Sequence, residues 1–211
     1  MRTPAPESIL LLGAGGHARA CIDVIEQEGR YRISGLTGLA AEVGSMLYGY
    51  RVLGTDADLA TLLASHAAAL VTVGQITSPA VRIRLFEAIE RSGREQECIV
   101  SPRAYVSPHA RVGAGSIIMH GAVVNAGAVV GRNCIVNSLA LVEHDAQVGD
   151  HCHLSTNAAL NSAVRVGAGS FIGSGTSVRQ QITIGERCVI GMGQFVVSDC
   201  ENGAWLPPVK R

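Results

Sequence analysis

Aromatic residues make up only 4% of the 211-residue chain, which leaves few platforms on which nucleic-acid bases could stack. No sign of charge dominates. Seventeen Lys and Arg balance 17 Asp and Glu, so the basic footprint of a nucleic-acid binder is absent. The apolar run Ile9–Leu12 is far too short for a membrane span or a secretory leader. A cytoplasmic protein is expected, with neither nucleic acid nor membrane as partner. Six cysteines (Cys21, Cys98, Cys134, Cys152, Cys188 and Cys200) form no CxxC pair. They read as small buried residues, and no metal site is expected of them.

What the sequence does have is a period. From Ala104 to Asp199 an aliphatic residue takes the third place of sixteen successive blocks of six, from Val106 and Val112 through Ile190 and Val196. The first place is mostly small, as at Ala104, Ser116, Cys134 and Cys152. Gly often follows the aliphatic, as at Gly131, Gly149 and Gly173. A fixed period signals a solenoid, here of short strands joined by bends. If three hexads make one triangular coil, residues eighteen apart stack, and the repeat gives about five coils. Val106, Val124, Val142, Leu160, Val178 and Val196 then form one aliphatic column. The solenoid domain is placed at 101–211.

Residues 1–100 read as a separate α/β domain, a small Rossmann-like βαβ unit. Ser8–Leu12 has the length of a buried strand and exits into Gly13-Ala14-Gly15-Gly16-His17-Ala18. A helix over Arg19–Glu28 ends at Gly29, and Arg32–Leu36 reads as a second strand. Thr55 is a cap for a helix over Asp56–Ser65, Ala68–Val73 is a third strand, and Ser78-Pro79 opens a helix running to about Ser92. Strands alternating with helices imply a parallel sheet. The Gly-rich turn at a helix start suits a phosphate, although a purely structural turn is the alternative. A redox dinucleotide would want an acid at the end of the second strand, and Ser34-Gly35-Leu36-Thr37-Gly38 has none.

Of the seven histidines, His66, His109 and His151 fall where solvated polar residues are expected. A zinc site at His151-Cys152-His153 lacks a third ligand nearby in sequence, and Cys152 should face the core. His144 is the sharper candidate. Flanked by Glu143 and Asp145, it suits a general base whose tautomer one carboxylate fixes; spacing alone does not say which. No Ser or Cys is placed as an acyl-enzyme nucleophile beside it.

The Gly-Ala-Gly-Gly-His turn ahead of a hexapeptide repeat, with Val142-Glu143-His144-Asp145 inside it, resembles the left-handed β-helix acetyltransferases of the sialic-acid O-acetyltransferase family. That family includes bacterial N-acetyltransferases of nucleotide-linked 4-amino sugars. The match extends to Leu206-Pro207-Pro208-Val209-Lys210-Arg211, which resembles the family's Val-Pro-Ala-Lys close with some change. The resemblance implies the left hand, a homotrimer, acetyl-CoA as cosubstrate and acetyl transfer to a nucleotide-sugar amine in surface-glycan biosynthesis. O-acetylation of a sialic acid or related sugar is the alternative.

By the same resemblance His144 is the catalytic base, Asp145 orients it, and His153 lies near the thioester. Acetyl-CoA contacts fall on Ser162, Ser174 and Met192. Ser174 and Met192 stack eighteen apart as a track, while Ser162 stacks one coil beyond His144, on another column, and is assigned a different cleft. Gly193 would let backbone come close, and Lys210 would offer a charge to a CoA phosphate. Gly15, Gly16 and His17 are implied substrate contacts, with Gly74 and Gln75 weaker ones. UDP-sugar members carry acids where this chain has Leu36-Thr37-Gly38, which puts uridine in doubt and leaves Thr37 one hydrogen bond to offer. An oxyanion donor is expected from backbone or from an imidazole such as that of His153. Finally, His144 and His153 are nine residues apart, half a coil. One chain can hardly bring both to one site, so the site is expected between subunits.

Overall fold

The computed structural model describes residues 7–96 and 98–209. The N-terminal unit comprises β1 (Glu7–Leu12), α1 (Gly16–Glu28), β2 (Tyr31–Thr37), β3 (Met46–Leu47), β4 (Tyr50–Gly54), α2 (Leu59–Ala64), β5 (Ala68–Val71) and α3 (Ala80–Ser92). The sheet order is β3-β4-β2-β1-β5, parallel apart from the β3–β4 hairpin. That hairpin turns on Tyr48 and Gly49, both at positive φ (49° and 88°), as a tight two-residue turn needs. Two helix boundaries differ from the sequence reading. The first helix begins at Gly16, because the Gly-rich turn closes sooner than expected. The second is a 3₁₀ turn over Asp56–Asp58 followed by the short α2. Thr55 does cap it, accepting the N–H of Ala57.

β1 is buried on both faces, as its unbroken apolar run requires. Leu10 and Leu12 pack with Leu63, Leu85, Phe86 and Ile89 of the helices on one side. Ile9 and Leu11 pack with Ile22 and Ile25 of α1, in a cluster that continues into Ile99, Ile117 and Ile135 of the solenoid. The two domains therefore share a core.

The solenoid is a parallel β-helix of two-residue strands. Its first face runs from Tyr105–Val106 to Phe195–Val196 in six strands, its second from Arg111–Val112 to Thr183–Ile184 in five, and its third from Ile99–Val100 to Trp205–Leu206 in seven. Register is eighteen residues along the repeat, Val124 facing Val142 and Val142 facing Leu160, and shortens to sixteen at the last rung, where Ile190 faces Leu206. The inward aliphatics and the small first-place residues fill the prism, and the buried cysteines are free thiols. Gly131 and Gly149 show why Gly follows the aliphatic: a Cβ there would lie 2.7 and 2.8 Å from backbone of the next coil. Among the described residues no helix is long and apolar enough to cross a membrane.

Candidate active site

β1 delivers the chain to Gly15, the N-cap of α1, whose first turn has no acidic residue and no side-chain cap. Its free N–H groups and partial positive charge open onto a cavity of about 700 Å³. Gly15, Gly16, His17, Thr37 and Gly74 all line it, five of the six residues expected at substrate. Gln75 does not. Its side chain is buried between the domains, where Nε2 donates to the carbonyls of His151 (3.0 Å) and Gly169 (3.3 Å). Thr72 Oγ1 fixes the turn by donating to the Gly13 carbonyl (2.7 Å). Glu42 and Asp56 also line the cavity. Neither stands at the end of the second strand; both arrive through the segment that carries the hairpin. Glu42 Oε2 accepts the Leu39 N–H (2.7 Å), and Asp56 pairs with Arg84 (2.6 Å).

A second cavity, of about 320 Å³, lies along the third face. His153, Phe171, Ser174, Met192 and Trp205 line it, so the Ser174–Met192 column does border a groove. Ser174 Oγ bonds Ser155 Oγ (2.8 Å), and Gly193, next to Met192 but not among the groove-lining residues, donates its N–H to the Ser174 carbonyl (2.9 Å). Phe171 and Trp205 supply an apolar wall. Lys210 lies outside the described residues.

His153 is buried, its ring edge-on to Phe171 (5.2 Å). Nδ1 donates to the Gln75 carbonyl (2.6 Å). Nε2 accepts from Asn137 Nδ2 (3.3 Å), and the Asn137 amide is fixed in that sense because its oxygen accepts the Ser138 N–H (2.8 Å). Burial, with the Arg82 charge behind it, pushes His153 down to about 4; burial, Arg82 and His153 together push His17 to about 3. Both rings are neutral at pH 7. Neutral His153 presents a lone pair at Nε2, not a proton, so it is not an oxyanion donor. Asn137, absent from the sequence reading, stands beside it with an amide N–H. The zinc constellation is not assembled either: His151 packs edge-on to Phe86 (5.6 Å) and Cys152 faces the core.

His144 stands exposed at the bend between the first and second faces. Nδ1 is 2.9 Å from Asp145 Oδ2, while Glu143 instead accepts the His144 backbone N–H (2.9 Å) and Asn125 Nδ2 (3.1 Å). The Asp145 bond raises the His144 pKa, as suits a base. Ser162 Oγ lies 2.7 Å from His144 Nε2. Although no Ser was expected as a nucleophile beside His144, Ser162 stands within hydrogen-bond distance of it. Ser162 lies directly over His144, one coil on, and apart from the Ser174–Met192 groove, as the eighteen-residue stack implies. Within one chain His144 borders neither cavity.

Residues 8–89 match the PglD N-terminal domain, and residues 163–198 match the hexapeptide repeat of succinyl-transferase. No curated protein sequence matches the chain. The acetyltransferase domain of PglB from Neisseria gonorrhoeae, solved with acetyl coenzyme A, is 31% identical over 97% of this chain and 98% of its own, with a TM-score of 0.85. The chain belongs to the hexapeptide-repeat acetyltransferases. PerB from Caulobacter crescentus, a perosamine N-acetyltransferase solved with CoA and GDP-perosamine, is 29% identical over 94% of this chain and 92% of its own (TM-score 0.87). WeeI from Acinetobacter baumannii shares the fold at 20% identity, 94% and 95% coverage and a TM-score of 0.81. This hexapeptide acetyltransferase is built on a left-handed β-helix preceded by the α/β domain.

Proposed function

We propose that this acetyltransferase moves the acetyl group of acetyl-CoA onto the amino group of a nucleotide-linked amino sugar, at sites between the subunits of a homotrimer. The observation that carries the reading is the order of the corners. The His144 bend and the Ser174–Met192 bend are the two edges of the first face. Tyr105, Leu139 and Phe195, on or beside that face, are 55%, 61% and 79% exposed in the single chain, the kind of apolar surface that marks a contact. Three first faces packed about a threefold axis bring one chain's His144 against the next chain's groove. His144 and His153 then meet across the contact.

The nucleotide would lie in the larger cavity with its phosphates at the α1 N-terminus. Glu42 lines that space, and its carboxylate can accept from the N–H edge of guanine, which offers two adjacent donors where uracil offers one. PerB, solved with GDP-perosamine, supports a guanosine carrier. The sugar amine would attack the thioester carbon directly while His144 removes its proton. Asp145 holds the tautomer, and a backbone or Asn137 N–H faces the developing oxyanion. The work would belong to the cytoplasm, in surface-glycan assembly. Incubating GDP-, UDP- and CMP-linked amino sugars with acetyl-CoA, following free thiol and product mass, tests this. Amide formation with a GDP-amino sugar, lost in His144→Ala, is expected. Thiol release that is indifferent to His144, or products acetylated only on oxygen, would refute it.

A further inference from the structure

Among the described residues, the largest fully buried side chain is an arginine. Arg82 of α3 is 1% exposed and lies at the seam between the two domains. Its guanidinium makes four hydrogen bonds, every one to a neutral oxygen. Nη1 donates to the carbonyls of Val71 (3.1 Å) and Val73 (2.6 Å). Nη2 donates to the carbonyl (3.1 Å) and the side-chain oxygen (2.6 Å) of Asn133. Nε has no partner. Burial pulls the group down to about 10, so it stays charged at neutral pH. A buried cation without a counter-charge is costly. Satisfying four buried oxygens, which an apolar replacement would orphan, is one reason for it.

The bonds point to a second. Val71 and Val73 mark the exit of β5. Immediately beyond them Gly74 lines the larger cavity and Ile76 lines the groove. Residues 73–76 are thus the strip separating the two ligand spaces, and Gln75 in its middle receives the Nδ1–H of His153 (2.6 Å). From the other end, Asn133 Nδ2 donates to His151 Nδ1 (3.0 Å), while the His151 carbonyl accepts from Gln75 Nε2 (3.0 Å). The polar chain is closed: Arg82 holds both the strip and the coil to which Gln75 is tied.

We infer that Arg82 is a positioning residue of the transfer reaction: by fixing residues 73–76 against the coil it sets His153 as the Nδ1–H tautomer, with Nε2 accepting from Asn137, in the wall of the acetyl-CoA groove. The inference rests on the groove being the acetyl-CoA site. The other groups facing His153 are His17 on α1, with ring centroids 6.4 Å apart and Cys21 behind it, Phe171 and Asn137. None is a carboxylate, so the Arg82 charge acts on the ring without opposition from them.

Arg82→Met and Arg82→Lys separate positioning from packing. Acetyl-CoA affinity is measured by calorimetry without any sugar, and the His153 tautomer is read from imidazole ¹⁵N shifts. In Arg82→Met the expectation is a folded protein, acetyl-CoA binding weakened at least 10-fold, and a His153 spectrum moved from one tautomer to a mixture. Arg82→Lys should return the charge without the fork. The His153 tautomer should then still be mixed while acetyl-CoA stays weakly bound. If Arg82→Met does not fold, Arg82→Lys alone decides the matter on the same two readouts. Native affinity and a native tautomer in the folded variants would overturn the inference, as would weak binding with an unchanged tautomer. Because neither readout involves a sugar acceptor, failure to acetylate any sugar would sink the proposed reaction and leave this test standing.

Discussion

Gly127 lies nowhere near either cavity, yet replacing it with Ala should disable the base. It sits one coil below Asp145, with φ at +74°. A Cβ placed there would lie 2.4 Å from Asp145 Oδ1, far inside contact distance. Two costs follow. An L-residue in the left-handed region costs about 1–2 kcal/mol, and for a chain of this size each 1 kcal/mol lowers the melting temperature by roughly 2–4 °C. The clash cannot be absorbed by the stacked coil, but the exposed Asp145 carboxylate can swing into solvent. Doing so breaks its 2.9 Å bond to His144. The imidazole then loses its fixed tautomer. A base of this kind supplies about 10²–10⁴-fold in rate, so a kcat fall of roughly 10-fold or more is expected with a fold that survives. The assay is thiol release on a nucleotide amino sugar, run as a cycle with Asp145→Ala. The double variant should be no slower than Asp145→Ala alone, because both changes remove the same contact. Full kcat in Gly127→Ala, or losses that simply multiply, would refute the reasoning.

The other predictions concern the same groups. Because Asp145 raises the His144 pKa and a base must be unprotonated to act, the acidic limb of kcat/KM should have its midpoint above the ordinary imidazole value of about 6.5; Asp145→Asn should move it down, and an unmoved limb in a pH–rate series counts against the base assignment. Ser162→Ala should leave kcat unchanged or higher if the sugar amine displaces the hydroxyl from His144 Nε2, whereas a kcat loss at constant KM would show that the hydroxyl carries the proton. His17 and His153 have folded pKa values depressed to about 3 and about 4, so below pH 6.5 the unfolded chain takes up protons that the native state refuses. Stability should therefore fall as pH drops from about 6.5 toward 4, by several kcal/mol for the pair. His153→Gln should flatten that fall in a thermal-unfolding series.

The hexad period made the solenoid, its register and its aliphatic core legible because one place in six is decided by a single demand, burial. The Gly-rich turn and the track of Ser174 and Met192 were legible for similar reasons. Other features were harder, each for a physical cause. Strands β3 and β4 pair through Tyr48, a residue with no turn signature, so the loop that carries Glu42 into the cavity could not be drawn. The second place of the hexads, which faces outward, also held information. It reads Arg111, Val129, Gln147, Arg165 and Thr183 on the solvated second face, but Ile117 and Ile135 on the third face where α1 docks. Arg82 looked like an ordinary helix arginine because nothing local distinguishes a buried guanidinium from a solvated one; only the seam between the domains does.

The eighteen-residue register also sets how such a chain can change length. Each coil contributes one rung to every face, so insertions and deletions act as rotations. Removing six residues between His153 and Ser174 would turn everything after it by one face, carrying Met192 from the groove to another corner and the last rungs out of phase with the docked domain. Removing eighteen would shorten the prism and leave every column where it was. Length in this molecule is quantised in whole turns.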